Sequence, residues 1–319
     1  MSRAPEWVTA FAPGGVGNIG PGLDILGLAL AGQGDTVRAE WTNQPGIHIH
    51  QTGHPDLPTS AREHTSGLAA AAVVARAGMK PSRGIGLTIK KGLPLSGGQG
   101  GSAASAVAGA VAVNRLLGSP LERLALVSAC LEAEEGVSGR HADNIVPSLY
   151  GGIVLIRSLD PIDLIQLPVP DELWVVLARP NQRLRTAQAR SVLPESVPRA
   201  VALHQAAQVG AMVAALATSD YDLLGRAIDD RIAEPVRAAL LPGFKEAKAA
   251  ALAAGALGSS ISGGGPTAFA LVKGPARGHE VAEAMAQAYT GCGIQSEVQV
   301  VEIDRQGARI LDHEDRLRS

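Results

Sequence analysis

The chain has 319 residues with 28 basic and 30 acidic side chains, a balance that gives no electrostatic case for nucleic acid or an anionic membrane as main partner. At about 150 residues per domain the length favours two domains over one, and Cys130 and Cys292 lie outside any metal-ligand spacing, which argues against a disulfide framework or zinc site. Aromatic residues make up only 3%, so the elements must pack through Ala, Gly, Val and Leu, small side chains that let backbones approach closely.

Along the chain, WVTAFAP, DTVRAEW, GIHIHQT and GIGLTIKKGL read as strands, and SGLAAAAVVARAG as a helix with Gly78 suited to its C-terminal cap. Residues 102–117 and 121–135 predict a helical pair punctuated by Gly118, Ser119 and Pro120. YGGIVLIRS and ELWVVLARP read as buried strands separated by the LPVPDE turn, which sets a domain boundary near residue 165. Residues 197–254 are helical by propensity, followed by strand-like GSSISGGGPTAFALV, helix-like EVAEAMAQAYTG and a closing strand SEVQVVEID. The start MSRAPEWVTAFAPGG has no basic segment followed by an apolar one, and no apolar run of about 18 residues free of charge is read, so a soluble, cytoplasmic protein is expected.

Chemistry concentrates in glycine-rich stretches. In PLSGGQGGSAAS, residues 94–105, a strand-like run ends at Leu93 and Pro94, glycines follow at 97, 98, 100 and 101, and Ser102 begins a helix. Such a segment is either a flexible connection or a place where unpaired N–H groups and the positive end of a helix dipole converge on an anion. No Lys-Ser or Lys-Thr follows the glycines, so this is not a Walker A loop. Gly98, Gly100 and Ala103 fit the dinucleotide pattern GxGxxA, but the acidic residue that pattern needs about 20 positions on is replaced by Glu122 in a helix-like segment.

Five further stretches admit two readings each. Asn18 and Asp24 in APGGVGNIGPGLDILGLAL either bond a local turn or face a polar ligand. EAEEGVSGRHADNIVPSLYGG, residues 132–152, is either a solvated helix end with Asp143 or Asn144 capping a turn, or a cluster of carboxylates, imidazole and amide at a site. SGGGPT, with Gly263, Gly264, Gly265 and Pro266, is a hairpin loop or a ligand-facing one. Arg190 and Arg237 are ordinary surface-helix arginines or guanidinium forks for a carboxylate.

In this order and over essentially the whole chain, the segments resemble the motifs of the GHMP kinase superfamily of galactokinases, homoserine kinases, mevalonate kinases and phosphomevalonate kinases. PLSGGQGGSAA follows PxxxGLGSSAA with Gln99 for Leu and Gly101 for the first Ser; the first motif has Leu23 for Phe, and SGGGPT resembles SGSGPT with Gly264 for Ser. SGRHADNIVP, TAQARSVLP and DDRIAEPVRAALLPG are similar to signatures of the homoserine kinase branch.

The resemblance implies an α+β, two-domain fold: a ribosomal protein S5 domain 2-like N-terminal domain, residues 1–165, and a ferredoxin-like C-terminal α/β sandwich, residues 166–319. It implies ATP-dependent phosphorylation of L-homoserine to O-phospho-L-homoserine in threonine biosynthesis, with ATP and Mg2+ as cofactors and a homodimer as the assembly. Pro94, Leu95, Ser96, Gly97, Gly98, Gln99, Gly100, Gly101, Ser102, Ala103 and Ala104 would wrap the triphosphate, with Ser102 and Glu134, or Glu135 beside it, holding the metal. Asn18, Asp24, Asn144, Thr186, Arg190, Arg237 and Gly264 would meet the amino acid, Asp143, Asn144 and Arg190 would serve catalysis, and His64 and Thr65 would lie near the adenine. A sibling kinase acting on mevalonate, shikimate or a sugar, a non-catalytic ATP-responsive binding protein, and a dinucleotide-dependent dehydrogenase are the competing expectations.

Overall fold

The computed structural model describes residues 5–137 and 139–311, so both ends of the sequence and Ser138 of the SG dipeptide lie outside the described residues. β1 (Trp7–Gly17) and β2 (Leu26–Thr42) form an antiparallel hairpin whose register shifts between Pro13 and Gly15. β3 (Ile47–Gln51), α1 (Thr65–Arg76) and β4 (Gly84–Lys90) make a parallel crossover unit, with β4 antiparallel to β2. α2 (Gly101–Leu116), α3 (Arg123–Glu135) and α4 (Ile145–Tyr150) follow, and β5 (Ile153–Leu159) with β6 (Ile162–Leu167) extends the sheet from the start of β2.

α2 is the axis of this half. Twelve of its 16 residues are buried, mostly Ala and Val, and Gly109 lets the Ser66 backbone of α1 approach so closely that a Cβ there would lie 3.0 Å from it. That close approach is how a chain with so few aromatics fills its core: small residues bring helix to helix and helix to sheet.

β7 (Leu173–Pro180) opens a second sheet. α5 (Thr186–Ser191), α6 (Arg199–Thr218), α7 (Tyr221–Ala227), α8 (Glu234–Arg237) and α9 (Phe244–Ala253) come next. β8 (Gly258–Ile261), β9 (Ala268–Lys273), α10 (Pro275–Gly291) and β10 (Ser296–Glu302) complete an antiparallel sheet in the order β10, β7, β9, β8, the ferredoxin-like βαββαβ arrangement that the motifs imply. β11 (Arg309–Ile310) then returns to pair with β1 of the first sheet.

One apolar cluster covers the first sheet under α1 to α3, a second lies under α9 and α10, and a third joins the halves. This joining cluster packs Val16, Leu26, Leu28 and Ile153 against Leu177, Met212, Phe269 and Leu271. A shared apolar interface of this kind holds two domains at a fixed angle, so the groove between them has rigid walls.

The structure corrects three expectations. β6 and β11 add strands that the sequence does not announce, because one is a short alternating run beside prolines and the other only two residues long. The helical region from 197 to 254 is broken: Asp220 caps α7, and Asp230 accepts the amides of Ile232, Ala233 and Glu234 and so starts α8 afresh. Finally, α6 is long and apolar enough, at a mean hydropathy of 1.4, to cross a membrane by length and composition, since Ala and Val dominate and His204, Gln205 and Gln208 carry no formal charge. One such helix is weak evidence for a span, and Gln205 of α6 is tied into the fold by hydrogen bonds to Pro21 O at 2.8 Å and Asp230 at 2.9 Å.

Candidate active site

Between the two halves lies a cleft of about 710 Å³. At one end stands the loop between β4 and α2. Ser96, Gly98 and Gly100 have φ of 51°, 74° and 67°, and at Gly98 a Cβ would lie 2.7 Å from Gly265 O, so glycine is required there on both counts. The carbonyls of this loop are held by donors from outside it. Thr267 Oγ1 donates to Gly97 O at 2.5 Å, Ser262 Oγ to Gly98 O at 2.6 Å, Gly15 N to Gln99 O at 3.0 Å and Lys91 Nζ to Gly101 O at 2.9 Å. Among the described residues no backbone acceptor is paired with the amides of residues 97–101, and the first amides of a helix have no intrahelical acceptor. N–H groups left without backbone acceptors at the positive end of a 16-residue helix are able to take an anion.

Ser102 Oγ donates to Glu134 of α3, which is buried, whereas Glu135 is exposed; one position along a helix turns a side chain by about 100° away from the cleft. Pro94, Leu95, Ser96, Gly97, Gly98, Gly100, Gly101, Ser102 and Ala103 line the cleft, but Gln99 and Ala104 do not. Flanked by two left-handed glycines, Gln99 turns its side chain behind the loop into a separate cavity of about 260 Å³, and Ala104 faces the core from the first turn of α2. His64 caps α1, its Nδ1 accepting from Ser66 N at 3.2 Å, so in the neutral ring Nε2 carries the proton. Burial holds the ring below its usual pKa, and His64 and Thr65 both line the cleft.

The opposite end is built from side chains. Asp24 and Arg190 pair through two hydrogen bonds of 2.7 and 3.2 Å. Asn18 donates to Gly263 O at 2.9 Å and accepts from Asp24 N at 3.0 Å, so its amide braces the two halves and shapes the turn that presents Asp24. Arg237 is buried, donating to Ala189 O at 3.1 Å and Gly263 O at 2.9 Å, and burial lowers its pKa. Asp24 is raised by burial and by the charge of Asp143, against the pull of Arg190, His141 and Arg237. Burial alone would lower His141, but its hydrogen bond with Asp143 and that carboxylate's charge outweigh it and raise the ring.

Asp143 and Asn144 sit between the two ends. Asn144 Nδ2 donates to Asp143 at 3.3 Å, and glycines clear the space for both: a Cβ on Gly17 would lie 2.2 Å from Asp143, and one on Gly100 2.7 Å from Asn144 Oδ1. Thr186 and Gly264 line the same wall, where a Cβ on Gly264 would meet Ala189 at 3.0 Å. The cleft thus gathers every residue expected from the sequence except Gln99, Ala104 and the alternative metal ligand Glu135. His141, Lys91, Ser262 and Thr267 are additions; Ser262 and Thr267 lie inside SGGGPT and His141 inside SGRHADNIVP, motifs that could have pointed to them, whereas Lys91 lies in none of the motifs.

Family models for the GHMP kinases N terminal domain and the GHMP kinases C terminal match residues 64–152 and 212–291. A homoserine kinase of Chlorobium phaeobacteroides (strain BS1) is 42% identical over 317 residues, covering 95% of this chain and 99% of that one. One from Arabidopsis thaliana is 42% identical over 314 residues, covering 96% of this chain and 85% of that one. A crystal structure of homoserine kinase from Cytophaga hutchinsonii superposes with a TM-score of 0.92 at 37% identity, over 98% of this chain and 99% of that one.

Proposed function

The chain belongs to the GHMP kinases, among the homoserine kinases of that family, and from that premise we propose how its cleft moves the terminal phosphoryl group of ATP to the side-chain hydroxyl of L-homoserine. The polyphosphate lies against the amides at the mouth of α2, with the adenine toward His64 and Thr65. The amino acid lies at the charged end. Its ammonium and carboxylate take the places that Arg190 and Asp24 occupy toward each other, the ammonium on Asp24 and the carboxylate on Arg190, with Arg237 behind it. This pair of opposite charges in the cleft, which opens to take the two charges of an amino acid and matches them in sign, is the observation that carries the reading.

The donor set fits Mg2+: a hydroxyl and a carboxylate already in contact are hard oxygen ligands, and among the described residues no cluster of three or more His, Cys, Asp or Glu offers a closed metal cage. Ser102 and Glu134 would hold the ion, which when bound compensates charge on the phosphate oxygens. The acceptor oxygen forms its bond to the γ-phosphorus as the bond from that phosphorus to the bridging oxygen breaks, and the hydroxyl proton passes to a phosphoryl oxygen. Asn144, as an amide, has no base to offer; it positions the hydroxyl. Asp143, engaged with His141 and Asn144, holds both rather than accepting the proton. The rate then rests on positioning and charge compensation, as phosphoryl transfer allows.

Product use in threonine biosynthesis, a cytoplasmic location and a homodimer follow from the family reading alone. An ADP-release assay with L-homoserine, mevalonate, galactose and shikimate tests the assignment. Turnover with homoserine is expected, and turnover of another acceptor with none for homoserine overturns it.

A further inference from the structure

Gly101 stands where the GHMP motif has its first serine, yet the space is not empty. A Cβ built on Gly101 would meet Lys91 Nζ at 3.4 Å, so the ammonium of a lysine ten residues upstream occupies the region into which that serine's hydroxyl would project. Lys91 lines the cleft with its side chain only 7% exposed, and its partner Asp35 is fully buried. Asp35 also accepts from Ser105 Oγ at 2.5 Å, Gly92 N at 3.0 Å and Leu93 N at 3.3 Å. A buried ion pair gains little stability over apolar residues of the same shape. One placed beneath an anion-binding loop needs another reason.

Resting on the reading of that loop as the nucleotide site, we propose that Lys91 is a phosphate-binding residue that supplies, from the floor of the cleft, the hydrogen bond a serine at position 101 would otherwise give. An ammonium has three donors, and Asp35, Gly101 O and Ser105 Oγ engage all three. The Ser105 contact is the exchangeable one, because Ser105 itself stays bonded to Asp35. Releasing it turns one N–H toward a phosphate oxygen without breaking the ion pair. Asp35 fixes where the charge sits; Lys91 presents it. Glycine at 101 is thereby balanced by a cation, a stronger partner for phosphate than a hydroxyl.

The test is calorimetric binding of ADP and of adenosine to the full chain and to Lys91→Met combined with Asp35→Asn, which removes both charges and leaves no buried carboxylate unpaired. ADP should bind about 10- to 100-fold more weakly to the double variant, with adenosine unchanged. Adding Gly101→Ser to it should recover part of that affinity. Equal ADP affinity in wild type and double variant, or parallel losses for ADP and adenosine, overturns the proposal and leaves the pair a structural one. If the wild type binds no ADP, the nucleotide-site reading itself has failed and the proposal goes with it. Should the double variant not fold, a crystal structure of the wild type with ADP decides: Lys91 Nζ within hydrogen-bond distance of a phosphate oxygen supports the role, and Nζ still turned to Ser105 and remote from every phosphate rejects it.

Discussion

The two ends of the cleft are made of different material. The end proposed for the phosphates is backbone: among the described residues the amides of 97–101 have no backbone acceptor, while Thr267, Ser262 and Gly15 hold the carbonyls of residues 97, 98 and 99. The end proposed for the acceptor is charged side chains, Asp24, Arg190 and Arg237, held by Asn18 and backbone carbonyls. A backbone site depends on φ and on glycine, so it tolerates Gln for Leu at 99, whose side chain leaves the cleft altogether. A side-chain site depends on which charge stands where, and a single substitution changes what it accepts.

That contrast predicts where mutations act. The largest effect is expected from Arg190→Ala, which removes a fork and leaves a half-buried Asp24 without its partner: kcat/KM for homoserine should fall by about 100- to 1000-fold with KM for ATP nearly unchanged. Steady-state kinetics with each substrate varied in turn checks it. Loss confined to the ATP side would erase the division between the two ends.

Next comes Glu134→Ala, expected to lower kcat by roughly 100-fold and to raise the Mg2+ concentration needed for half-maximal rate. Glu135→Ala, on the exposed side of α3, should change either by less than about twofold. A magnesium titration of both variants distinguishes them; equal effects would mean that the bond between Ser102 and Glu134 does not mark the metal position.

Smaller again is Thr267→Val. It leaves Gly97 O without its donor, at about 1 to 3 kcal/mol for a buried acceptor, and frees the loop to turn that carbonyl into the cleft. KM for ATP should rise about 5- to 20-fold while KM for homoserine stays put. A thermal shift with no change in nucleotide affinity would show that the hydroxyl supports the fold rather than the loop's polarity.

How much of this is legible in the sequence follows the same divide. The phosphate loop can be read because its requirement is local: glycines at left-handed positions just before a helix announce themselves in a few adjacent letters. The charged residues can be placed only through family motifs, since nothing in their spacing says that Asp24 and Arg190, 166 positions apart, meet. The residues that escape reading are those whose role exists only in the folded chain. Ser262 and Thr267 reach the loop across 164 and 170 positions, and Lys91 finds Asp35 across 56. Lys91, the second of two lysines in KKGLP, reads as a solvated strand end until a buried carboxylate from β2 is placed beneath it. The breaks in the helical stretch after residue 197 are hidden for a related reason, because alanine favours helix everywhere and the stop comes from one buried aspartate, Asp230, bonding three amides beyond it.

The smallest expected effect lies in the pH profile. Asp24 takes an ammonium only when ionised, and burial and Asp143 raise its pKa, so kcat/KM for homoserine should fall, on acidification, at a higher pH than an ordinary aspartate would set. His141 opposes that rise by its charge and is itself held protonated to higher pH by Asp143. Removing it in His141→Gln takes away a cation that favours ionised Asp24, so the acid limb should move upward while the plateau changes little. The sign is the useful part: a limb that moves down, or stays fixed while the plateau collapses, would mean that His141 touches the acceptor directly instead of acting on Asp24 through its charge. Asp24 belongs to the acceptor end and not to the amides of the loop, so ADP affinity measured over the same range should lack this limb, and a shared limb would show the two ends to be coupled.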